Sequence, residues 1–164
     1  MALALGVLAA GLAAGCAGRR IESGIYHSSK GYRVALPGGD WTVAEASESD
    51  IELRHRVAVA AMLANAHCGD RVTARSLDVL SRHLLIGFQG RTTLERGEVA
   101  VGGRRAAHTV LDGRLSVRDE PVRVETYVMK DERCVYDFAY AAPPHAFDTW
   151  RSAFHRFVGS FATE

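Results

Sequence analysis

The chain has 164 residues, one ordinary domain's worth and too few for an enzyme with a separate cofactor domain. Hydrophobic residues make up 48% and charged residues 24%, a globular mix that excludes a disordered, collagenous or multi-span membrane chain. Lys and Arg number 20 against 19 Asp and Glu, leaving +1 and no bulk field for nucleic acid or anionic lipid.

Residues 1–15 carry no charge and contain only Met, Ala, Leu, Gly and Val. As a helix this run spans about 22 Å, short of a bilayer core of about 30 Å, and fits the apolar region of a secretory signal. It ends in Leu12-Ala13-Ala14-Gly15-Cys16, which resembles a bacterial lipoprotein lipobox. Two features depart from the usual pattern: the leucine lies one place further from the cysteine, and no Lys or Arg precedes the apolar run. The resemblance implies a signal peptide over residues 1–15, an acylated Cys16 and a tether over residues 16–24. Ala17, where Asp would retain a Gram-negative lipoprotein at the inner membrane, implies the periplasmic face of the outer membrane. The alternative is an ordinary signal peptide with an incidental cysteine.

With Cys16 assigned to the lipid, Cys68 and Cys134 remain, an even number in an oxidising compartment, and a disulfide is expected. Free thiols are one alternative. A metal site with His67 is another, although no CxxC or HxxxH spacing accompanies it.

Further along, Ile25-Tyr26-His27 and the alternating Tyr32-Arg33-Val34-Ala35-Leu36 read as two strands around a Ser-Ser-Lys-Gly turn. Trp41-Thr42-Val43 starts another, and Ile51-Glu52-Leu53-Arg54-His55 alternates again. Residues 57–66 predict a central strand, although their alanines would also suit a helix. Over residues 70–88 the period changes: Leu77, Leu80, Leu84 and Phe88 form one helical stripe, with Thr73 or Ser76 as N-cap. Period two then returns in strands over 91–94, 98–101, 105–111, 122–130 and 134–141, with Gly102-Gly103 suited to a primed hairpin turn. Pro143-Pro144 stops the sheet, and Phe147, Trp150, Phe154, Phe157, Val158 and Phe161 mark a final core helix.

The run Gly31-Tyr32-Arg33-Val34-Ala35-Leu36-Pro37 with Trp41, a mid-chain helix, several antiparallel strands and the close on Tyr136-Asp137-Phe138-Ala139-Tyr140, Phe147, Phe154 and Ser160-Phe161 together resemble the PsbP-like superfamily. That superfamily holds a photosystem II extrinsic subunit, Ran-binding Mog proteins and many bacterial lipoproteins. The likeness covers residues 25–162 as a pattern of spacing and implies an α+β fold, an α/β/α sandwich around a mainly antiparallel sheet. One such domain is expected over residues 25–164. The resemblance implies binding or assembly factors without a shared catalytic apparatus, and no functional residue carries over from it.

The sequence has no G-x-S-x-G, H-E-x-x-H, P-loop or strand-linked G-x-G-x-x-G. Asp137 is the most informative polar residue, set among apolar neighbours in an expected central strand. Such a carboxylate needs a partner, with Arg123 or Thr126 as candidates, or else it lines a polar pocket. His67 and His108 could lie on neighbouring strands, while Arg54-His55-Arg56 and Arg104-Arg105 read as solvated strand ends. The function expected is therefore a non-enzymatic, lipid-anchored periplasmic protein that binds or helps assemble another envelope component. It would use no cofactor, metal or nucleic acid. The alternative is a module for a small hydrophobic ligand or lipid, with a cavity of about 300 Å³ or more lined by residues such as Phe88 and Tyr136. A hydrolase would need Ser81 or Ser116 brought to His83 or His108.

Overall fold

The computed structural model describes residues 20–116 and 119–164. The strands among them are β1 (Arg20–Glu22), β2 (Ile25–Ser28), β3 (Tyr32–Ala35), β4 (Trp41–Val43), β5 (Ile51–His55), β6 (Ala61–Cys68), β7 (Gln89–Val101), β8 (Arg104–Arg114), β9 (Val122–Lys130), β10 (Cys134–Ala142) and β11 (Ala162–Thr163). The helices are α1 (Asp70–Thr73), α2 (Leu77–Leu84) and α3 (Phe147–Gly159). A large antiparallel sheet runs β4-β5-β6-β10-β9-β8-β7, and a small one runs β1-β2-β3-β11. Helices α1 and α2 cover one face of the large sheet, and α3 with the small sheet covers the other. This is the expected α/β/α sandwich.

Alternation along the strands builds the α3 side. Ile51 and Leu53 of β5, Met62, Ala64 and Ala66 of β6, and Tyr136, Phe138 and Tyr140 of β10 are all buried there. The register sets Tyr136 against Ala66 and Phe138 against Ala64, so each large ring lies beside a small side chain that leaves it room. Phe154 of α3 stacks on Tyr140 at 5.5 Å between centroids, and Phe157 meets Phe138 edge-on at 5.8 Å. Each such fully buried ring contributes about 1.5–3 kcal/mol, so α3 is a principal part of the core. Asp50 ties the small sheet down: its carboxylate accepts from Tyr32 Oη at 3.0 Å, Lys30 Nζ at 2.5 Å and the Ala66 amide at 2.9 Å.

Cys68 and Cys134 face each other across β6 and β10, with Cα atoms 4.0 Å apart, and are joined by a disulfide. The bridge pins the end of the ladder from which α1 departs. Gly102 and Gly103 have φ of +54° and +78° and turn β7 directly into β8, as a primed hairpin requires.

Four expectations change. The strand read over 57–66 begins only at Ala61, because the pairing of Arg54 with Ala61 makes the intervening residues a turn, and Val57 and Val59 stand 80% and 79% exposed. The two strands read over 91–94 and 98–101 are one strand, β7, whose polar middle pairs with Val110, Thr109 and His108. As an edge strand open on both faces it needs no alternation, which hid it from a period-two reading. Of the two N-caps expected in the 70–88 segment, Ser76 is the one used, accepting from the Val79 amide to start α2, while α1 precedes it as a separate turn and the helix stops at Leu84, before Phe88. The segment expected as tether is already strand β1 from Arg20, paired with β2.

Candidate functional site

Asp137 lies in β10 between Asn65 of β6 and Val128 of β9, on the face covered by α1 and α2. It is 8% exposed. Neither expected partner reaches it. Arg123 makes a two-pronged pair with Asp112, at 2.7 and 2.9 Å. Thr126 is set against Ala139 and Thr109, and its buried hydroxyl has no hydrogen-bond partner among the described residues. The nearest ionisable partner seen is His67, whose Nε2 lies 3.8 Å from the carboxyl on a half-exposed ring. Burial pushes the Asp137 carboxyl up to about 7, and no arginine stands close enough to offset it.

The carboxyl opens into a pocket of about 500 Å³ between the α1–α2 segment and strands β6 and β10. Val72, Leu80, Leu84 and Val135 form its apolar wall, and His67, Arg71, Arg75 and His83 its basic margin. The break before Ser76 shapes this site: α1 and α2 are separate short helices, and their connection carries Arg75 to the rim, where Nη1 lies 3.1 Å from His83 Nδ1. A broader hollow of about 690 Å³ lies alongside, and Lys130 and Asp131 in its lining are already engaged. There Lys130 Nζ donates to the carbonyls of Thr73 and Arg75, and Asp131 accepts from Tyr136 Oη and two backbone amides.

A second charged cluster lies under α3 and escaped the sequence reading. Glu125 of β9 has no exposed surface and receives Arg151 Nε at 2.9 Å, Arg151 Nη2 at 3.1 Å, His108 Nε2 at 2.8 Å, His155 Nε2 at 3.0 Å and Tyr127 Oη at 3.2 Å. Burial would raise this carboxyl, but hydrogen bonds from His108, Arg151 and His155 outweigh it and hold the group down at about 2. Bound by donors from β8, β9 and α3 and with no exposed surface, Glu125 fastens α3 to the sheet and presents no face to a substrate. The signal was the charged residue at an alternating position of a strand covered on both faces.

The remaining candidates do not assemble into chemistry. His67 and His108 sit on β6 and β8, separated by β10 and β9. Ser81 Oγ pairs with Thr109 Oγ1 at 3.3 Å rather than with a histidine. Phe88 and Tyr136 belong to clusters on opposite faces of the sheet, so the cavity expected between them does not form. Arg54 pairs with Glu52 and Arg105 with Glu98 on the surface, and Arg104 reaches Thr163 at 2.7 Å. Cys16 lies outside the described residues. Among those described, no three His, Cys, Asp or Glu converge as metal ligands, and no helix is long and apolar enough to cross a membrane.

No family model and no curated protein matches this sequence. Solved structures do match. A protein from Bacteroides thetaiotaomicron aligns with a TM-score of 0.62 and 10% identity over 88% of this chain and 49% of its own, so this chain spans about half its length. LpqN of Mycobacterium tuberculosis, described as involved in cell envelope biogenesis, aligns with a TM-score of 0.58 and 18% identity over 84% of this chain and 88% of its own. Cyanobacterial PsbP from Synechocystis sp. PCC 6803 aligns with a TM-score of 0.53 and 14% identity over 96% of this chain and 99% of its own. The fold is PsbP-like. Within this PsbP-like frame, the Asp137 pocket occupies the α1–α2 side of the sheet and the Glu125 cluster occupies the α3 side.

Proposed function

We propose that this PsbP-like protein is held in the bacterial envelope by a lipid on Cys16 and that it works by binding, not by catalysis. The observation that carries the binding role is the Asp137 pocket, a recess of about 500 Å³ with an apolar wall and a basic margin, a size and lining suited to a ligand. No serine, threonine or cysteine lines the pocket beside the acid, and Ser81, which lines a separate recess, is engaged by Thr109. The apolar run before Cys16 and the description of LpqN as an envelope biogenesis protein support the location. That support is an analogy at the level of fold. The near-neutral charge agrees with it, because an acyl anchor leaves the domain no need for a basic membrane-binding face. Ala17 after the cysteine supports the periplasmic face of the outer membrane.

Two measurements on the full chain in a Gram-negative host test this reading. Mass spectrometry of the membrane-extracted protein should show an acylated N-terminal Cys16, and Cys16→Ser should move the protein to the soluble periplasmic fraction. A photo-crosslinking side chain at Leu84, in the pocket wall, should give adducts in intact envelopes that the same group at surface Glu45 does not. Unmodified Cys16, or identical adducts from both positions, would overturn the reading.

A further inference from the structure

Asp137 and the pocket rim pose complementary problems. Asp137 is largely buried, with 12% of its side chain exposed, has no hydrogen bond among the described residues, and faces His67 only at 3.8 Å. Asn65, its cross-strand neighbour, turns its amide to His67 Nε2 at 2.9 Å, and its other neighbour, Val128, is apolar. A carboxylate in that setting is costly unless something supplies a donor or a positive charge. At the rim the imbalance is reversed. Asp137 is the single acid lining the pocket, while among the described residues Arg71 has no ion pair and the Arg75 guanidinium meets only the ring of His83. Valines and leucines separate the two ends.

We propose that this pocket takes a small zwitterion, its ammonium group seated on the Asp137 carboxyl and its anionic group held at the rim by Arg71 and Arg75. The proposal deepens the binding role given above and rests on it. A simple anion would satisfy the arginines and leave Asp137 buried and unmet. A simple cation would satisfy Asp137 and leave two arginines idle at the mouth. The apolar wall of Val72, Leu80, Leu84 and Val135 suits the carbon skeleton joining the two charges, and about 500 Å³ holds far more than an inorganic ion. Because burial raises Asp137 to about 7, an incoming ammonium group would displace its proton near neutral pH and gain a full ion pair. The groups facing Asp137 from the packed elements are His67 of β6, Arg71 of α1, Arg75 of the connection and His83 of α2. None of them is an acid that would compete for the ammonium.

Two sources carry this chemistry, a phosphoethanolamine lipid headgroup and a free amino-acid-type solute. Calorimetric titration of the detergent-solubilised full chain separates them. O-phosphoethanolamine, L-leucine and short-chain phosphatidylethanolamine carry the amine, whereas glycerol 3-phosphate and short-chain phosphatidylglycerol lack it. An amine-bearing probe is expected to bind and to lose about ten-fold or more in affinity in Asp137→Asn and in the double variant Arg71→Ala/Arg75→Ala. Tightest binding by the phospholipid identifies a headgroup, and tightest binding by a soluble probe identifies a solute. In the unaltered chain, the amine probes should also drive the Asp137 carboxyl carbon resonance to its ionised position at about pH 6, a readout independent of whether the variants fold. Equal affinity for the amine-free counterparts, undiminished binding by Asp137→Asn, an unmoved resonance, or no binding by any probe at millimolar concentration would overturn the proposal. None of these results would alter the acylation or the crosslinks that test the broader reading.

Discussion

Replacing Asp137 by asparagine should stabilise the protein above neutral pH and do nothing of the kind in acid. The folded carboxyl titrates at about 7 against an ordinary value of 3.8, so folding raises its pKa and the native state favours the protonated form. Below the ordinary value both folded and unfolded chains hold the proton, and the group carries no penalty. Between the two values the native chain keeps a proton that the unfolded chain has lost, so stability falls by about 1.4 kcal/mol per pH unit. Above about 7 the loss is complete and reaches an upper limit of about 4 kcal/mol. Asparagine has the same shape and no charge, but its buried amide still needs partners, which takes back about 1–3 kcal/mol. The net expectation is a gain of about 1–3 kcal/mol at pH 8, turning into a loss of about 1–3 kcal/mol by about pH 4. Urea unfolding of both proteins across this range, read as a difference curve, cancels every other titrating group. A variant destabilised equally at both ends would show an ionised Asp137 satisfied by His67, and the burial argument would fail.

Other perturbations address the frame around the pocket. Reducing the disulfide, or replacing Cys68 and Cys134 by serine, opens a loop of 66 residues and should cost about 4 kcal/mol by chain entropy, measured by denaturant midpoint with and without reductant. Glu125→Gln removes the charge on which Arg151, His108 and His155 converge and should cost about 3 kcal/mol at neutral pH. Because folding lowers the Glu125 pKa from 4.5 to about 2, its stabilisation is present above the ordinary value and is lost as pH falls through the window between them. Acid unfolding of the glutamine variant should therefore lack the part of the transition that lies there. Val57→Thr and Val59→Thr, at an exposed turn, should each change stability by less than about 0.5 kcal/mol, whereas strand positions there would show a clear loss.

Much of this architecture was legible because local pattern and global environment agree. The period-two runs at 32–36, 51–55 and 122–130 and the aromatic stripe from Phe147 to Phe161 each face a core, and burial is what writes such a pattern. The boundaries that moved are those where pattern and environment part. Val57 and Val59 are β-branched yet lie in a turn, because pairing of Arg54 with Ala61 leaves them no partner strand. The middle of β7 is polar yet lies in a strand, because an edge open to solvent places no demand on its side chains.

The site divides along the same line. By itself the sequence determined the class of fold, the lipobox-like N-terminus, the pair of cysteines left over from it, and the fact that Asp137 had to be an exception in its strand. Each of these depends on residue type and local spacing. Which groups surround that exception was decided only by the tertiary structure. Strand order put β10 between β6 and β9, sent Arg123 to Asp112, and carried Arg71 and Arg75 to the mouth of the pocket from a segment more than sixty residues away in sequence. It likewise gathered His108, Glu125, Arg151 and His155 from β8, β9 and α3. The electrostatic environment of a buried charge depends on distance in space, and no periodicity along the chain encodes it.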